Sequence, residues 1–414
     1  MPGANKGMFN PQKPLSSTEF VALAAITTSI VALATDAMLP ALPQIGRDLA
    51  VVDPNEPQLV VSMLFLGFSA GQLIVGPLSD CFGRKPVILG GYAVFIAGCI
   101  LSFMATDLTT MLIGRVLQGV GAAAPRIVMM SLVRDLYEGR AMARILSIVM
   151  SVFILVPAVA PSIGQGILMF AQWPDIFIVL LAMAVLGAGW LALRQPETLS
   201  PENKRTLSIG NILAGYAAVL RNRTAVGYSV TASLTFGAFL SYLSSAQQVF
   251  QDALGVGEMF PIYFGMAALA IGAASIVNAR LVMRFGMRRL TRLGFIGMTG
   301  LSGLFLVYLF AMNPTPGIIE FMIWQLPTFF FIGLQFGNLN ALAMEPLGHL
   351  AGLGAAVVGG VSTIIAVPVG WFIAHLFNGS IEPLISGFCV LGFVALFVIH
   401  WTDKKPPEMV TVSS

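Results

Sequence analysis

Apolar stretches longer than about 18 residues recur along the whole chain, and this repetition restricts the available folds more than any other feature. A stretch of that length can cross the hydrocarbon core of a bilayer as one helix. The 22 basic and 19 acidic side chains make up only 10% of the 414 residues, whereas soluble domains carry about 25% charged residues. The composition therefore excludes an ordinary soluble enzyme and predicts an all-α membrane protein.

Hydropathy divides the chain into twelve predicted membrane spans and one long hydrophilic connection. The spans lie near residues 20–42, 58–79, 86–105, 108–133, 142–169, 175–193, 224–248, 260–281, 290–312, 317–342, 350–376 and 383–401. We predict a cytoplasmic N-terminal segment, a six-helix bundle, a cytoplasmic linker, a second six-helix bundle and a cytoplasmic tail. These five segments are residues 1–19, 20–193, 194–223, 224–401 and 402–414.

The basic residues separate sharply to one side of the predicted membrane. Of the 22 Lys and Arg, nineteen lie on one side, in the termini and the connections that alternate with them. Arg47 lies on the other side, and Arg115 and Arg126 lie inside a span. Because Lys and Arg are enriched in cytoplasmic loops, we expect a multi-pass protein of the bacterial inner (plasma) membrane with both termini in the cytoplasm.

A short pattern repeats in equivalent loops of the two predicted halves. Phe-Gly-Arg-Lys at residues 82–85 lies between spans 2 and 3, and Phe-Gly-Met-Arg at residues 285–288 lies between spans 8 and 9. Some transporters consist of two parallel repeats related by an axis along the membrane normal. We therefore expect twelve transmembrane helices in two pseudo-symmetric six-helix bundles around a central cavity. Met283 replaces the equivalent of Asp80, so the second loop is expected to be degenerate.

Asp36, in the sequence Thr-Asp-Ala-Met-Leu-Pro at residues 35–40, is the only acidic residue deep inside a predicted span. An ionised carboxylate in hydrocarbon is costly, so it should face water, a partner or a cavity. Burial favours the neutral acid and a nearby cation favours the carboxylate, so a site alternating between these surroundings could take up and release a proton. The alternative is an Asp at the outer end of its helix, tied to backbone groups.

Four other polar side chains in the first half belong to the predicted transport pathway. Counting from the span ends puts Asp36 and Arg115 roughly 10–12 Å inside the outer face, which predicts an electrostatic link between them. An Arg hydrogen-bonded to backbone carbonyls is the alternative. Arg126 lies on the Arg115 face of the helix and could bind substrate anions, close a cytoplasmic gate or extend to the interface. With Gln118 and Gln72 it forms the polar part of the predicted cavity.

The loop between spans 2 and 3 is short and dense in charge and glycine. Its predicted functional residues are Gly76, Asp80, Gly83, Arg84 and Lys85. Gly83 permits a tight turn, and Asp80 and Arg84 can form a switchable ion pair. We predict that this loop takes part in gating.

The G-x-x-S-D-x-x-G-R-K pattern of residues 76–85 resembles the loop signature of the major facilitator superfamily, in which this element stabilises the outward-facing state. Cys81 stands where the family usually has a basic residue. Further resemblances are R-x-x-Q-G-x-G at residues 115–121, the antiporter motif at residues 157–166 and Pro-Glu-Thr at residues 196–198. With residues 35–40, the set is similar to the bicyclomycin and chloramphenicol resistance group of drug/proton antiporters. The resemblance implies the major facilitator fold and proton-coupled drug export.

The antiporter motif also has a physical interpretation of its own. Pro157 and Pro161 each remove a backbone donor and bend the helix, while Gly164 and Gly166 allow another helix to approach closely. We expect such a bent, close-packed helix to seal a cytoplasmic leak path. An ordinary proline kink with glycine packing is the alternative.

Aromatic and amide side chains on one face of span 10 predict a wall of the substrate cavity. Within about 80° of one another lie Trp324, Thr328, Phe331, Gln335 and Asn338. Rings and neutral amides on one face suit an amphiphilic organic ligand, although a Phe in a span more often faces lipid. Further predicted members of the cavity wall are Met38, Phe65, Phe236 and Phe239.

The leading functional hypothesis is a proton-coupled multidrug efflux antiporter that works by alternating access with Asp36 as proton carrier. No Walker A loop is present, so the proton gradient is the expected energy source and no cofactor is expected. The alternative is a proton-coupled importer or a sugar or metabolite transporter. An enzyme is not expected, because the three His form no HExxH pair. The expected partners are an amphiphilic small molecule, protons and the bilayer, with no metal and no nucleic acid, and the chain is expected to be a monomer.

Overall fold

The computed structural model describes residues 15–204, 208–312 and 315–404. Within these ranges the chain is helical with no strand, and twelve helices are long and apolar enough to cross a membrane. The predicted all-α class and the number of spans are confirmed.

The first half contains seven helices, of which all but the short α2 are membrane-spanning in length. They are α1 (Ser17–Asp36), α2 (Leu42–Asp48), α3 (Leu59–Phe82), α4 (Arg84–Phe103), α5 (Leu108–Leu136), α6 (Gly139–Leu168) and α7 (Trp173–Arg194). The linker contains α8 (Ile209–Arg221), which the hydropathy pattern did not predict. The second half consists of α9 (Arg223–Gln247), α10 (Phe260–Phe285), α11 (Met287–Ala311), α12 (Ile318–Met344), α13 (Ala351–His375) and α14 (Glu382–Asp403).

The first span is broken, although hydropathy predicts a continuous segment over residues 20–42. Helix α1 ends at Asp36, a turn of 3₁₀ helix follows at Leu39–Ala41, and α2 then continues towards the end of the span. Pro40 and Pro43 cause this interruption, because neither has an N–H to donate to the carbonyl four residues earlier. The break therefore falls directly after the one acidic residue of the predicted span.

The helix contacts repeat between the two halves. Helix α5 packs against α3 and α4, and its counterpart α12 packs against α10 and α11. In the same way α1 packs against α6 as α9 packs against α13, and α4 packs against α7 as α11 packs against α14. The similarity predicted from one short loop therefore extends to the packing of each half.

In the described part of the chain the two halves meet mainly along two pairs of helices, α3 with α13 and α6 with α10. Small residues lie where the backbones approach: a Cβ atom on Gly265 would lie 2.9 Å from the carbonyl oxygen of Ala158, and one on Gly359 would collide with the amide of Gln72. Because successive spans alternate in direction, the linker and both ends of the described chain lie on one face. We call it the linker face, and the opposite one the distal face.

Candidate functional site

Asp36 is buried at the point where α1 ends. Its residue is only 3% exposed, and within the described part of the chain its carboxylate accepts no hydrogen bond and forms no ion pair. Tyr242 of α9, in the other half, lies near this carboxylate. Asp36 thus lies at a helix end, as in the alternative interpretation, but its carboxylate is not tied to backbone groups. A buried carboxylate with no partner is costly unless it is protonated or meets a ligand.

Arg115 is fully buried in α5, and its guanidinium contacts backbone carbonyls rather than Asp36. It donates to the carbonyl oxygens of Val60 at 2.8 Å and Ala34 at 2.9 Å, and to Oε1 of Gln118 at 2.7 Å. Ala34 is one of the last residues of α1, where carbonyls lack helical partners. Arg115 therefore has the backbone contacts of the alternative interpretation, through which it connects to the end of α1, and its electrostatic influence on Asp36 stays a prediction.

Gln118 does not line a cavity, contrary to the sequence-based expectation. Its Nε2 donates to the carbonyl oxygen of Gly98 at 3.2 Å and to the hydroxyl of Ser102 at 3.1 Å, both on α4. The side chain is fully buried between α4 and α5, because the Gly98 backbone allows these helices to approach closely. Its amide oxygen holds Arg115, so Gln118 positions the arginine.

Arg126 and Gln72 lie at contacts between helices. The guanidinium of Arg126 is 4.2 Å from the centre of the Phe153 ring on α6, and no acidic partner lies beside it in the described residues. Such a cation–π contact stabilises a partly desolvated arginine. Gln72 of α3 faces Gly359 of α13, across the boundary between the halves.

The loop after α3 contains the expected ion pair and extends it into a network. Arg84 lies 2.5 Å from Asp80 and 3.0 Å from Asp135 at the end of α5, and it also donates to the hydroxyl of Ser79 at 2.8 Å. Gly83 has φ +109°, a conformation that favours glycine. The network therefore joins the ends of α3, α4 and α5 at the linker face, while Gly76 contributes only a carbonyl that accepts from Ser79.

Glu197 completes this network, and the hydropathy and charge patterns missed its role, as they missed that of Asp135. Its two carboxylate oxygens accept the backbone N–H groups of Arg84 and Lys85 at 2.9 and 3.0 Å. These N–H groups begin α4, whose first turn contains no acidic residue of its own. The first N–H groups of a helix have no partner within the helix and favour a negative charge. When the first turn has no acidic residue of its own, a carboxylate from another part of the chain can bind them. Lys85 also donates to the carbonyl of Ala192 at 2.7 Å.

The second half retains part of the same arrangement, although its loop lacks an equivalent of Asp80. Arg288 pairs with Glu345 after the end of α12 at 3.0 Å, and Arg292 pairs with Asp403 at 2.6 Å. Gly286 again has a positive φ of +76°. The second loop is therefore degenerate in one respect, because it lacks the acid equivalent to Asp80. It still forms an ion pair with the end of the neighbouring helix, between Arg288 and Glu345.

The predicted antiporter motif lies against the break in the first span. A Cβ atom on Gly164 of α6 would collide with the carbonyl oxygen of Ala37, the residue after Asp36, whereas Gly166 has open space around it. Pro157 precedes Ala158, which meets α10. Because the motif occupies the last turns of α6, it lies towards the distal face. The sealing role stays a prediction, and any seal that this motif forms would lie towards the distal face.

The side chains of the predicted cavity wall on α12 pack against other helices of the second half instead of facing the first half. Trp324 donates to the hydroxyl of Ser302 on α11 at 3.1 Å, and Asn338 exchanges hydrogen bonds with Asn278 on α10 at 2.8 and 3.2 Å. Phe331 packs on Gly297 of α11. Trp324, Phe331 and Asn338 therefore pack inside the second half and do not form the predicted wall of the cavity.

Gln335 and Thr328 are buried within the second half as well. The amide oxygen of Gln335 accepts the Thr235 hydroxyl of α9 at 2.9 Å, and its amide nitrogen faces the Gly294 backbone region of α11. The Thr328 hydroxyl is fully buried with no hydrogen-bond partner in the described residues. Neither side chain joins the wall that faces the first half.

A series of ring contacts begins at the boundary between the halves and continues inside the second half, where it includes rings from a neighbouring face of α12. Phe65 of α3 contacts Phe236 of α9 across the boundary, with ring centres 5.4 Å apart. Phe239 lies 5.8 Å from Phe336 and 6.2 Å from Phe329, both on α12. The structure thus brings the predicted Phe65, Phe236 and Phe239 together and adds Phe329 and Phe336. Met38 is fully buried in the turn after α1.

Polar contacts join the halves near the distal face. The Asn55 side chain donates to the carbonyl oxygens of His375 at 3.0 Å and Phe377 at 3.1 Å. The Gln248 side chain contacts Gln58 and Asn55, and the hydroxyls of Ser62 and Ser244 lie 3.3 Å apart. We call these contacts the distal closure, which consists of Asn55, Gln58, Ser62, Ser244 and Gln248. No sequence pattern predicted it.

Comparison with known sequences identifies related transporters. Residues 24–365 match the sequence profile of the Major Facilitator Superfamily. The chain is 31% identical over 352 residues to the uncharacterized MFS-type transporter YdgK of Bacillus subtilis, with 81% of this chain and 87% of the relative covered. It is 28% identical over 395 residues to a bicyclomycin resistance protein homolog of Haemophilus influenzae, with 92% and 95% covered.

Further likenesses concern drug resistance and fold. The multidrug resistance protein MdtL of Escherichia coli is 26% identical over 380 residues, covering 90% of this chain and 92% of that protein. The E. coli xylose transporter XylE, in a partially occluded inward-open conformation, covers 94% of this chain and 98% of its own with a TM-score of 0.73. Because that structure is only 12% identical, the likeness shows the fold alone.

Proposed function

The chain belongs to the Major Facilitator Superfamily, and from this premise we propose that it is a proton-coupled antiporter that exports amphiphilic organic compounds. Membership makes it a multi-pass membrane transporter of small molecules rather than an enzyme. The observation that carries the proposal is Asp36, a buried carboxylate without a partner at the break of the first span. The drug-resistance names of two relatives support the efflux direction.

In the proposed cycle Asp36 carries the proton. A carboxyl group enclosed in apolar surroundings favours the neutral acid, whereas hydration or a bound cation favours the carboxylate. Protonation from the outer side and deprotonation towards the cytoplasm couple the gradient to the movement of the two halves. Arg115 supports this role by holding the carbonyl of Ala34, two residues before Asp36, and so fixes the end of α1.

Gating is assigned to the two faces. The network of Asp80, Arg84 and Asp135 holds helix ends at the linker face, and the distal closure joins the halves at the other. We assign the linker face to the cytoplasm because the basic residues concentrate there. The same proposal makes the protein a monomer that needs no cofactor, with the proton gradient as its only energy source.

The test uses purified protein in liposomes with an imposed pH gradient. We expect Asp36→Asn to abolish proton-driven transport of an amphiphilic drug such as ethidium, while binding and substrate exchange without a gradient persist. The Asn side chain is similar in size but cannot carry the proton. Gradient-driven transport by Asp36→Asn at the rate of the original chain would contradict the assignment.

Direction is tested separately by expression in a bacterium that lacks its own drug pumps. Efflux predicts a raised inhibitory concentration for several amphiphilic drugs, and Asp36→Asn serves as the inactive control. Increased sensitivity would favour the importer or metabolite-transporter alternative. The likeness to the xylose transporter does not by itself favour that alternative, because it concerns the fold alone.

A further inference from the structure

Two neighbouring side chains of the second half hold three buried polar atoms that have no hydrogen-bond partner in the described residues. They are the hydroxyl of Tyr242 on α9 and both amide atoms of Gln325 on α12, in residues that are 1% and 0% exposed. The phenol of Tyr242 lies beside the amide of Gln325, yet neither group forms a hydrogen bond in the described residues. Buried polar groups are nearly always paired, so this set calls for an explanation.

Aromatic packing fixes the position of the Tyr242 ring. It stacks on Phe264 of α10 with ring centres 5.5 Å apart and meets the edge of Phe329 of α12 at 4.6 Å. Phe239 connects this ring to the aromatic contacts that cross to Phe65 in the first half. The unpaired polar atoms therefore adjoin a continuous series of aromatic rings in the second half that leads to the boundary with the first.

The same polar atoms lie opposite the proposed proton carrier. Tyr242 lies near Asp36, and α9 packs against the turn that follows α1. Ser244, two residues beyond Tyr242, contacts Ser62 in the distal closure. This places Tyr242 and Gln325 just inside the closed distal end, on the second half, with the unpaired carboxylate on the first half.

We propose that Tyr242 and Gln325 form a subsite that binds the hydrogen-bonding group of an aromatic substrate, with the rings of Phe239 and Phe329 against its apolar part. The inference rests on the proposed function and specifies its substrates. An amide offers both donors and an acceptor, and a phenol offers either. The subsite therefore selects flat aromatic compounds with an amine, amide or hydroxyl group over aromatic ions that have none. Bound substrate would then satisfy the three polar atoms.

Two aromatic cations separate hydrogen bonding from charge. Ethidium has amino groups, whereas tetraphenylphosphonium has neither donors nor acceptors. Equilibrium binding of both to the full chain in detergent is measured without a proton gradient, for the original protein and for Tyr242→Phe and Gln325→Leu. We expect each variant to bind ethidium about tenfold more weakly, as for the loss of one hydrogen bond, and tetraphenylphosphonium within about twofold of the original.

Tyr228→Phe is the matched control, because its hydroxyl donates to Asp403 at the linker face, 2.8 Å away. We expect it to bind both cations normally. Equal weakening of both cations in the two test variants, an equal effect in the control, or no binding of either cation by the original protein would overturn the subsite. Selective loss of ethidium binding in a protein that lacks proton-driven transport would support the subsite and contradict the proposed function instead.

Discussion

At the scale of single residues, the two most deeply buried charged side chains of the first half differ in their hydrogen bonding. Arg115 makes three hydrogen bonds, two of them to carbonyls of neighbouring helices. Asp36, two residues after one of those carbonyls, makes none within the described residues. A satisfied buried charge is suited to holding structure, and an unsatisfied one is suited to changing its protonation state. The difference assigns separate tasks to two residues that the sequence predicted to act as a pair.

This difference leads to a prediction about stability. Arg115→Ala leaves two carbonyls and the Gln118 amide without their partner, so we expect it to lower the free energy of unfolding by about 3 kcal/mol. Asp36→Asn removes a buried carboxylate that has no partner, so we expect unchanged or slightly increased stability. Thermal unfolding in detergent measures both. A larger loss for Asp36→Asn than for Arg115→Ala would show that the carboxylate is structurally bound after all.

At the scale of helices, the break after α1 and the end of α6 act as one unit. Gly164 packs directly on the Ala37 carbonyl, so a side chain there must push α6 away from the break. We expect Gly164→Val to reduce transport at least tenfold and to lower stability by roughly 1–3 kcal/mol, the usual cost of overpacking. Gly166→Ala is the control, because no atom lies within 4 Å of its Cβ position, and we expect near-normal transport. Proteoliposome transport assays compare the two, and equal rates would contradict the proposed contact.

The helices also show what a single sequence can and cannot predict. Twelve spans were predictable because crossing hydrocarbon demands long apolar helices. The ion pair of Asp80 and Arg84 was predictable because these residues are four positions apart. The working face of α12 was not, because neighbouring residues differ by about 100° in direction and residues 329–331 are all Phe. Every face of that turn is aromatic, and the proposed subsite uses Gln325 and Phe329, each one position from the predicted Trp324 and Thr328. The contacts of Glu197 were missed, although its motif was recognised, because its partners are more than 100 positions away in sequence.

At the scale of the whole molecule, the halves are joined at the distal face by side chains distant in sequence. Ser62 and Ser244 are 182 residues apart, and their hydroxyls lie 3.3 Å from each other. Alternating access requires this contact to separate once in each cycle. Repeated helix packing within each half lets the halves move as units, so a few polar contacts suffice to hold one end closed.

A disulfide across this contact tests that requirement. The double variant Ser62→Cys with Ser244→Cys places two thiols where the hydroxyls now meet, and we expect oxidation to link them. Linked protein should lose transport almost completely and recover it on reduction, because the distal end can no longer open. Each single variant is the control and should respond to neither treatment. Full transport by the linked protein would show that the distal closure does not open during the cycle.

The presence of a single buried carboxylate in the described chain, Asp36, has a consequence for energetics. One carrier exchanges at most one proton per turnover. Export of a monovalent cation would then be electroneutral and respond to the pH difference alone. Export of an uncharged compound would move one net charge and draw also on the membrane voltage, worth about 2.3 kcal/mol per 100 mV. Substrates of different charge would thus be expelled by different components of the same electrochemical gradient.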